Sequence, residues 1–298
     1  MRPHWDDLKV FLAVARGETL SRAGQVLRMD PATVGRRIAR LETAYGAALF
    51  AKSQNGYALT DAGQRLMAPA IRAEQAMEEA AGELAGPTSG LSGQIRIGAP
   101  DGAANFLLPQ VCAAIGAANP ELEIQILALP RIVNLTRREA DMVLAVSPPN
   151  AGRLTVQKVS DYQLHLAASE AYLAAHPPIT QVADLKDHRV VGYIQDMIFD
   201  KELDYLSEAG LQTVEMASNS ASVQLNWIRQ GAGVGIAHDF ALPAFPGLRK
   251  VLADEVSLTR SFYLIRHADD RRLERLNRFA EALLSGLRAE VVRLESTA

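Results

Sequence analysis

The sequence predicts a multi-domain chain: an all-α head carrying a helix-turn-helix with a β-wing, a long linker helix, and an α/β body in two lobes. Three observations predict it. Met29–Glu42 has the cap, the period and the polar front of a short docking helix. Gly86-Pro87-Thr88-Ser89-Gly90-Leu91-Ser92-Gly93 is a turn-rich break between domains. Beyond that break, strand-like and helix-like runs alternate to the C-terminus.

In the docking stretch, Asp30 is placed to cap the helix and Pro31 to occupy its first turn, where a missing N–H costs nothing. Gly46 offers a left-handed stop. Val34, Ile38, Leu41 and Tyr45 step by four, three and four, which is one buried stripe. Arg36 and Arg40 then face outward, with Thr33 and Arg37 on one flank and Gly35 on the other. A guanidinium front suits a polyanion, because Arg pairs with phosphate and is bidentate to guanine. Double-stranded operator DNA is therefore the expected partner, with Ala32, Thr33, Arg36, Arg37 and Arg40 as contact candidates. The plain alternative is a solvated basic face, and the neighbouring elements decide against it.

Those neighbours read as follows. Trp5, Leu8, Phe11, Leu12 and Ala15 form a helical stripe that Gly17 can end. Thr19 can cap a second helix, Leu20–Leu27, with Ala23, Val26 and Leu27 inward. Gly24 in its middle costs helix stability, and close approach of the next helix is the expected return. Arg28-Met29-Asp30 then turns into the docking helix, completing a helix-turn-helix whose second helix is the reader. Asn55-Gly56 between short apolar runs signals a hairpin, hence a wing. Lys52, Ser53 and Gln54 would sit near its tip, where Lys52 is either a solvated strand end or a phosphate contact.

The residues Phe11…Ala23, Val34-Gly35-Arg36-Arg37-Ile38…Leu41-Glu42, Leu49-Phe50 and Leu59-Thr60-Asp61-Ala62-Gly63 resemble the head of a LysR-type transcriptional regulator over about the first eighty positions. That family usually carries Ser, then Gln or Pro, where this chain has Asp30 and Pro31. It has Ser where this chain has Gly35, and Arg where this chain has Lys52. The missing polar groups mean that operator sequence does not carry over from the family.

Charge agrees with a nucleic-acid module. The chain of 298 residues has a net charge of −3, yet residues 1–65 hold ten Lys/Arg against six Asp/Glu, so the head is basic and the body acidic. The single cysteine, Cys112, excludes an intramolecular disulfide framework, and its apolar surroundings mark it as a packing residue. No apolar stretch is long enough to span a bilayer, and Met1–Asp7 lacks the core of a signal peptide. A cytoplasmic protein with no membrane partner is expected.

Residues 1–60 form the expected DNA-binding head, 61–85 the linker helix, 86–92 the hinge and 93–298 the effector-binding domain. In the linker, Leu66, Ala70, Ala73, Met77, Ala80 and Leu84 recur as a heptad seam, which predicts pairing with a second copy. Packing on its own body is the alternative that the small Ala residues also permit. Pro69 should kink this helix. A dimer grips two half-sites about 34 Å apart or a multiple of that. The LysR resemblance implies a homodimer or homotetramer, with RNA polymerase as a further partner.

In the body, strands are expected at Gln94–Gly98, Leu122–Leu129, Asp141–Val146, Gln163–Ala168, Arg189–Ile194 and Val214–Ala217. Helices are expected at Phe106–Ala118, Ile132–Glu139, Ser169–Ala175, Asp200–Ala209, Ser222–Gln230 and Arg271–Arg293. This alternation predicts parallel sheet in two lobes, 93–161 with 266–298 and 162–265, with chain crossings near Asp161 and Arg266. The body resembles the family's periplasmic-binding-protein-like sensor domain. That resemblance implies a cleft for a small-molecule effector, drawing on Ala99, Pro100, Asp101, Arg131, Val146 and Ser147 from one lobe. Tyr193, Gln195, Asn219 and Ser220 come from the other. Ser220 can equally be a helix cap, Pro100 a turn former and Arg131 a surface residue. Asp101 would repel a carboxylate ligand unless paired.

An enzyme and a plain solute-binding protein are the rival readings. Gly231-Ala232-Gly233-Val234-Gly235 follows a helix and opens a strand, the reverse of a dinucleotide fingerprint. The six histidines, His4, His165, His176, His188, His238 and His267, show no metal spacing, and no cofactor is expected. Ser169 lacks the glycine frame of a nucleophile elbow. His238-Asp239 lies where a hydrolase could use it, but no partner nucleophile is evident. A basic head without an export signal does not suit a solute-binding protein.

Overall fold

The computed structural model describes residues 3–53, 56–84, 90–128, 140–149, 152–208 and 213–298. The chain divides into two compact units at Ser89/Gly90.

The first unit starts with α1 (Trp5–Gly17), α2 (Leu20–Leu27) and α3 (Pro31–Tyr45). Each boundary has a chemical cause. The Thr19 side chain accepts from the Arg22 N–H at 3.2 Å and opens α2. Asp30 accepts from the Thr33 N–H at 2.8 Å and opens α3, with Pro31 in the first turn. Gly46, at φ 66°, ends α3, and the next N–H, that of Ala47, reaches back to the Glu42 carbonyl. Helix α1 departs from expectation: its left-handed stop is Glu18, at φ 56°, one residue past Gly17.

The head core gathers Val10, Phe11, Leu12, Val14, Ala23, Val34, Ile38, Leu41, Leu49 and Phe50. Two stripe members lie elsewhere. Tyr45 is exposed at the end of α3, and Val26 is 78% exposed on α2, so neither belongs to the core. A two-turn helix such as α2 has only one narrow inward face, and Ala23 and Gly24 occupy it. Gly24 permits close approach of the turn rather than of the next helix: a Cβ there would sit 2.5 Å from the Met29 carbonyl oxygen.

The wing is β1 (Phe50–Ser53) paired antiparallel with β2 (Gly56–Leu59). Ser53 faces Gly56 in the register, so Gly56 opens β2 instead of sitting in the turn; Gln54 and Asn55 lie outside the described residues. Gly56 has φ 129°, and a Cβ there would come within 2.4 Å of the Glu18 carbonyl oxygen. That carbonyl accepts the Tyr57 N–H at 2.8 Å, so the wing is stitched to the α1–α2 turn.

Helix α4 (Asp61–Leu84) follows, opened by Thr60, which accepts from the Gly63 N–H at 3.1 Å. It is one continuous helix through Pro69, whose ring lies on the exposed side. The first half of the heptad seam belongs to the head: Ala70 and Ile71 are buried in its core, with Leu66 packed against them. Ala73 is half-buried, whereas Met77 is 54% exposed. Ala80 and Leu84 lie in the described backbone only.

The second unit is one nine-stranded mixed sheet bent through two lobes. Lobe I has β3 (Gly93–Ala99), α5 (Asp101–Phe106), α6 (Leu108–Ala118), β4 (Leu122–Ala128) and β5 (Met142–Ala145), with β4-β3-β5 parallel. The chain crosses to lobe II along β6 (Leu154–Ser169). There follow α7 (Glu170–Ala175), β7 (Val190–Gly192), α8 (Tyr205–Glu208), β8 (Met216–Ala217), α9 (Ala221–Arg229), β9 (Val234–His238) and β10 (Leu248–Val251). It returns along β11 (Ser257–His267) and ends in α10 (Glu274–Glu295).

Parallel sheet is thus confined to β4-β3-β5 and to β9-β7-β8, while β6, β10 and β11 are antiparallel. Strand β6 runs through both lobes, and Asp161 lies mid-strand. Its register partner is Ser261, so the return crossing is there; Arg266 pairs with Met142 within lobe I. Two strands that cross together must do so at opposed residues. The short helix expected at Ile132–Glu139 lies outside the described residues. The helix expected over Asp200–Ala209 begins instead as a 3-10 turn, Lys201–Leu203, before α8, and Ala209 lies outside the described residues.

Candidate functional site

On α3 the polar front is organised by hydrogen bonds within the helix. Asp30 takes the Thr33 N–H on one oxygen at 2.8 Å and the Thr33 hydroxyl on the other at 2.6 Å. Arg36 Nη2 donates to the same Thr33 oxygen at 2.9 Å. The two Thr33 bonds hold the Asp30 carboxyl below the ordinary aspartate value. Ala32 and Arg36 are exposed and Thr33 is half-buried beside them.

Arg37 and Arg40 turn toward α1. Arg40 Nε donates to Asp7 Oδ2 at 2.6 Å, and its Nη2 donates to Asp7 Oδ1. Asp7 is 1% exposed. The bonds to Asp7 push the Arg40 guanidinium above its usual pKa. Arg37 Nη1 lies 3.8 Å from carboxylate oxygens of both Asp6 and Asp7. A fork–fork bond of this kind fixes geometry as well as charge, so Arg40 clasps α3 to α1.

In the wing, Lys52 is exposed, with Nζ 5.9 Å from the centre of the Tyr57 ring, and Ser53 ends β1. Sequence reasoning missed the residue that ties the wing to the reading helix. Glu42 Oε1 accepts from the backbone N–H groups of Leu49 at 2.7 Å and Phe50 at 3.2 Å. A glutamate one residue past the last buried leucine of α3 carries no sign of this in sequence, because its partners lie seven and eight residues on, at the entry to the wing.

In the second unit, Asp101 and Ser220 meet across the two lobes. Asp101 Oδ2 accepts from Ser220 Oγ at 3.0 Å, Ser222 N at 2.8 Å and Ser222 Oγ at 2.8 Å. Its Oδ1 accepts from Asn105 Nδ2 at 3.2 Å. Ser220 also caps α9 through the Val223 N–H, so its cap and cleft roles coexist. A second bridge joins Ser147, after β5, to the Asp200 carboxylate of lobe II. Pro100 is the N-cap residue of α5. Asn219 is half-buried beside Ser220.

The other named residues are placed differently. Ala99 and Val146 are buried in the hydrophobic core at the ends of β3 and β5. Tyr193 and Gln195 line a cavity of about 10 Å³ inside lobe II, with Tyr205, Leu206 and Gln224, which is space for one water molecule at most. Arg131 lies outside the described residues.

The His238-Asp239 pair resolves into two separate structures. Asp239 is buried and accepts from Lys250 Nζ at 2.8 Å, with His165 Nδ1 2.8 Å away. His238 points elsewhere, its Nε2 3.4 Å from the Tyr205 hydroxyl. Burial lowers the His238 pKa to about 4.

Two family models match the chain. Residues 5–64 match the bacterial regulatory helix-turn-helix protein, lysR family, and residues 88–288 match the LysR substrate binding domain. The chain belongs to the LysR family. It is a LysR-type DNA-binding transcriptional regulator with an effector-binding domain, and its matched families and relatives are regulators rather than enzymes. Among LysR-family relatives, the Mau operon transcriptional activator of Paracoccus denitrificans is 29% identical over 191 residues, 62% of this chain and 67% of that one. The regulator PtxR of Pseudomonas aeruginosa is 25% identical over 250 residues, 82% of this chain and 78% of that one. The structure of CrgA from Neisseria meningitidis, a LysR-type regulator, shares the fold at TM-score 0.58. It is 23% identical and covers 95% of this chain and 98% of that one. No described helix is long and apolar enough to cross a membrane.

Proposed function

We propose that α3 reads operator DNA through Arg36, with Thr33, Ala32 and Arg37 beside it, and that Lys52 and Ser53 of the wing contact the phosphate backbone. The observation that carries this reading is the Asp30–Thr33–Arg36 chain of hydrogen bonds on the exposed face of a helix whose back is buried. An arginine held in this way loses less freedom on binding than a free one. Arg40 acts in this reading as a positioning residue that sets α3 against α1 and adds positive potential.

Two copies pair through α4, with exposed Met77 on the seam, in a homodimer or a homotetramer. A small-molecule effector acts at the cleft bordered by Pro100, Asp101, Ser147, Asn219 and Ser220 by favouring one lobe arrangement over another. The bound assembly contacts RNA polymerase, in the cytoplasm. The decisive experiment is fluorescence anisotropy with operator fragments selected from the source genome. Arg36→Ala is expected to weaken operator binding roughly 10–100-fold. Unchanged affinity with an unchanged melting temperature would overturn the role.

A further inference from the structure

We propose that Asp101 is a built-in ligand of the interlobe cleft: its carboxylate fills the anion-binding end of α9, latches the two lobes and excludes effectors that present a carboxylate there. The inference rests on the cleft being the effector site and adds the chemistry that the site rejects.

The N-terminal end of α9 presents the Ser222 N–H and the Ser220 and Ser222 hydroxyls at the positive end of the helix dipole, while the Val223 N–H is taken by Ser220. This set of donors suits a carboxylate, and the chain supplies one from the opposite lobe. Oxygen Oδ2 of Asp101 takes three donors and Oδ1 takes a fourth. Three donors crowd one oxygen that has two lone-pair sites, so the donors at the end of α9 are consumed by Asp101. An incoming carboxylate would lose these donors to Asp101 and meet a like charge beside it. The ring behind Asp101 gives no relief. A Cβ on Gly102 would lie 3.3 Å from His238 Cε1, and His238 Nδ1 is buried with no partner among the described residues. With a pKa near 4, that imidazole is neutral at pH 7 and offers no countercharge. The Ser147–Asp200 bridge repeats the arrangement on another pair of loops, a carboxylate in one lobe and a serine in the other.

The test uses the full-length chain with sodium acetate as the probe and sodium chloride as the ionic control. Asp101→Ala is expected to melt roughly 3–6 °C below the wild type. Acetate at roughly 50 mM, the range a ligand of so few atoms reaches, restores at least half of that loss, whereas chloride does not. The wild type does not respond to acetate. An equal acetate response in wild type and variant, or none in either, overturns the proposal. If Asp101→Ala does not fold, a double-mutant cycle of Asp101→Asn with Ser222→Ala carries the test. The latch requires the two melting losses to be less than additive, and full additivity overturns it. Operator binding is followed in parallel. An acetate response in melting with no change in operator binding supports the latch and defeats the reading of the cleft as the effector site.

Discussion

Arg40 and Asp7 join the reading helix to the first helix through two parallel hydrogen bonds, and the carboxylate between them is almost wholly buried. This pair separates two kinds of arginine on one helix. Replacing Arg40 strips a buried carboxylate of its two hydrogen bonds and leaves it only Arg37 at 3.8 Å, whereas replacing Arg36 removes an exposed charge. Arg40→Ala is therefore expected to lower the melting temperature of the head, and Arg36→Ala to leave it unchanged while operator affinity falls. Differential scanning calorimetry beside anisotropy checks both. Equal melting curves for the two variants would refute the distinction.

In the proposed reading the exposed Lys52 of the wing meets phosphate as a point charge. Lys52→Ala is expected to weaken all duplexes alike and to reduce the slope of log affinity against log salt by about 1. Titrations at several salt concentrations with specific and scrambled DNA measure this. A loss confined to one base position would contradict it.

Gly56 can take no other residue without moving the wing. Its φ is positive and a Cβ would be 2.4 Å from the Glu18 carbonyl oxygen. Gly56→Ala should destabilise the head by about 1–3 kcal/mol and weaken DNA binding together with it. Urea unfolding measured alongside anisotropy tests the coupling, which fails if stability drops while affinity holds.

His238 gives the body a defined pH response. Its pKa is about 4 in the fold against an ordinary value of 6.5, so the unfolded chain binds the proton more tightly. Its contribution is complete above pH 6.5 and is lost as pH falls toward 4, a change of about 3 kcal/mol. His238→Gln should flatten that part of the stability–pH curve. The same slope in the variant would assign the response to other groups.

Cys112 is buried in α6, and burial pushes its thiol up to about 11. A neutral, covered thiol is a poor nucleophile. The native chain should resist iodoacetamide at neutral pH and react only on unfolding, and peroxide should leave operator binding unaltered. Rapid labelling of folded protein would show the reverse.

Local chemistry made much of the head legible in advance. Caps, periods and turn residues gave α2 and α3 their ends because Thr19, Asp30, Pro31 and Gly46 act within four residues of themselves. What escaped depends on partners far along the chain. Asp7 meets Arg40 from 33 positions away, and Asp101 meets Ser222 from 121. The seam on α4 has the period of an intermolecular stripe, yet its first half serves the head's own core; period alone does not say whose surface is covered. Strand β6 was legible only over Gln163–Ala168, where it is buried. Thr155–Ser160 is largely solvent-facing and polar, and lacks an apolar run to mark it.

The paired strands β6 and β11 set a limit on how the body can signal. Both pass from one lobe to the other side by side, and α10 braces them: Arg288 donates to the carbonyls of Lys158 and Val159, while Glu295 accepts the Gln163 N–H. The brace spans the crossing at Asp161. A ribbon held together edge to edge and splinted from behind resists bending. Any signal between the lobes has to travel along that ribbon or across the serine–carboxylate bridges at its flank.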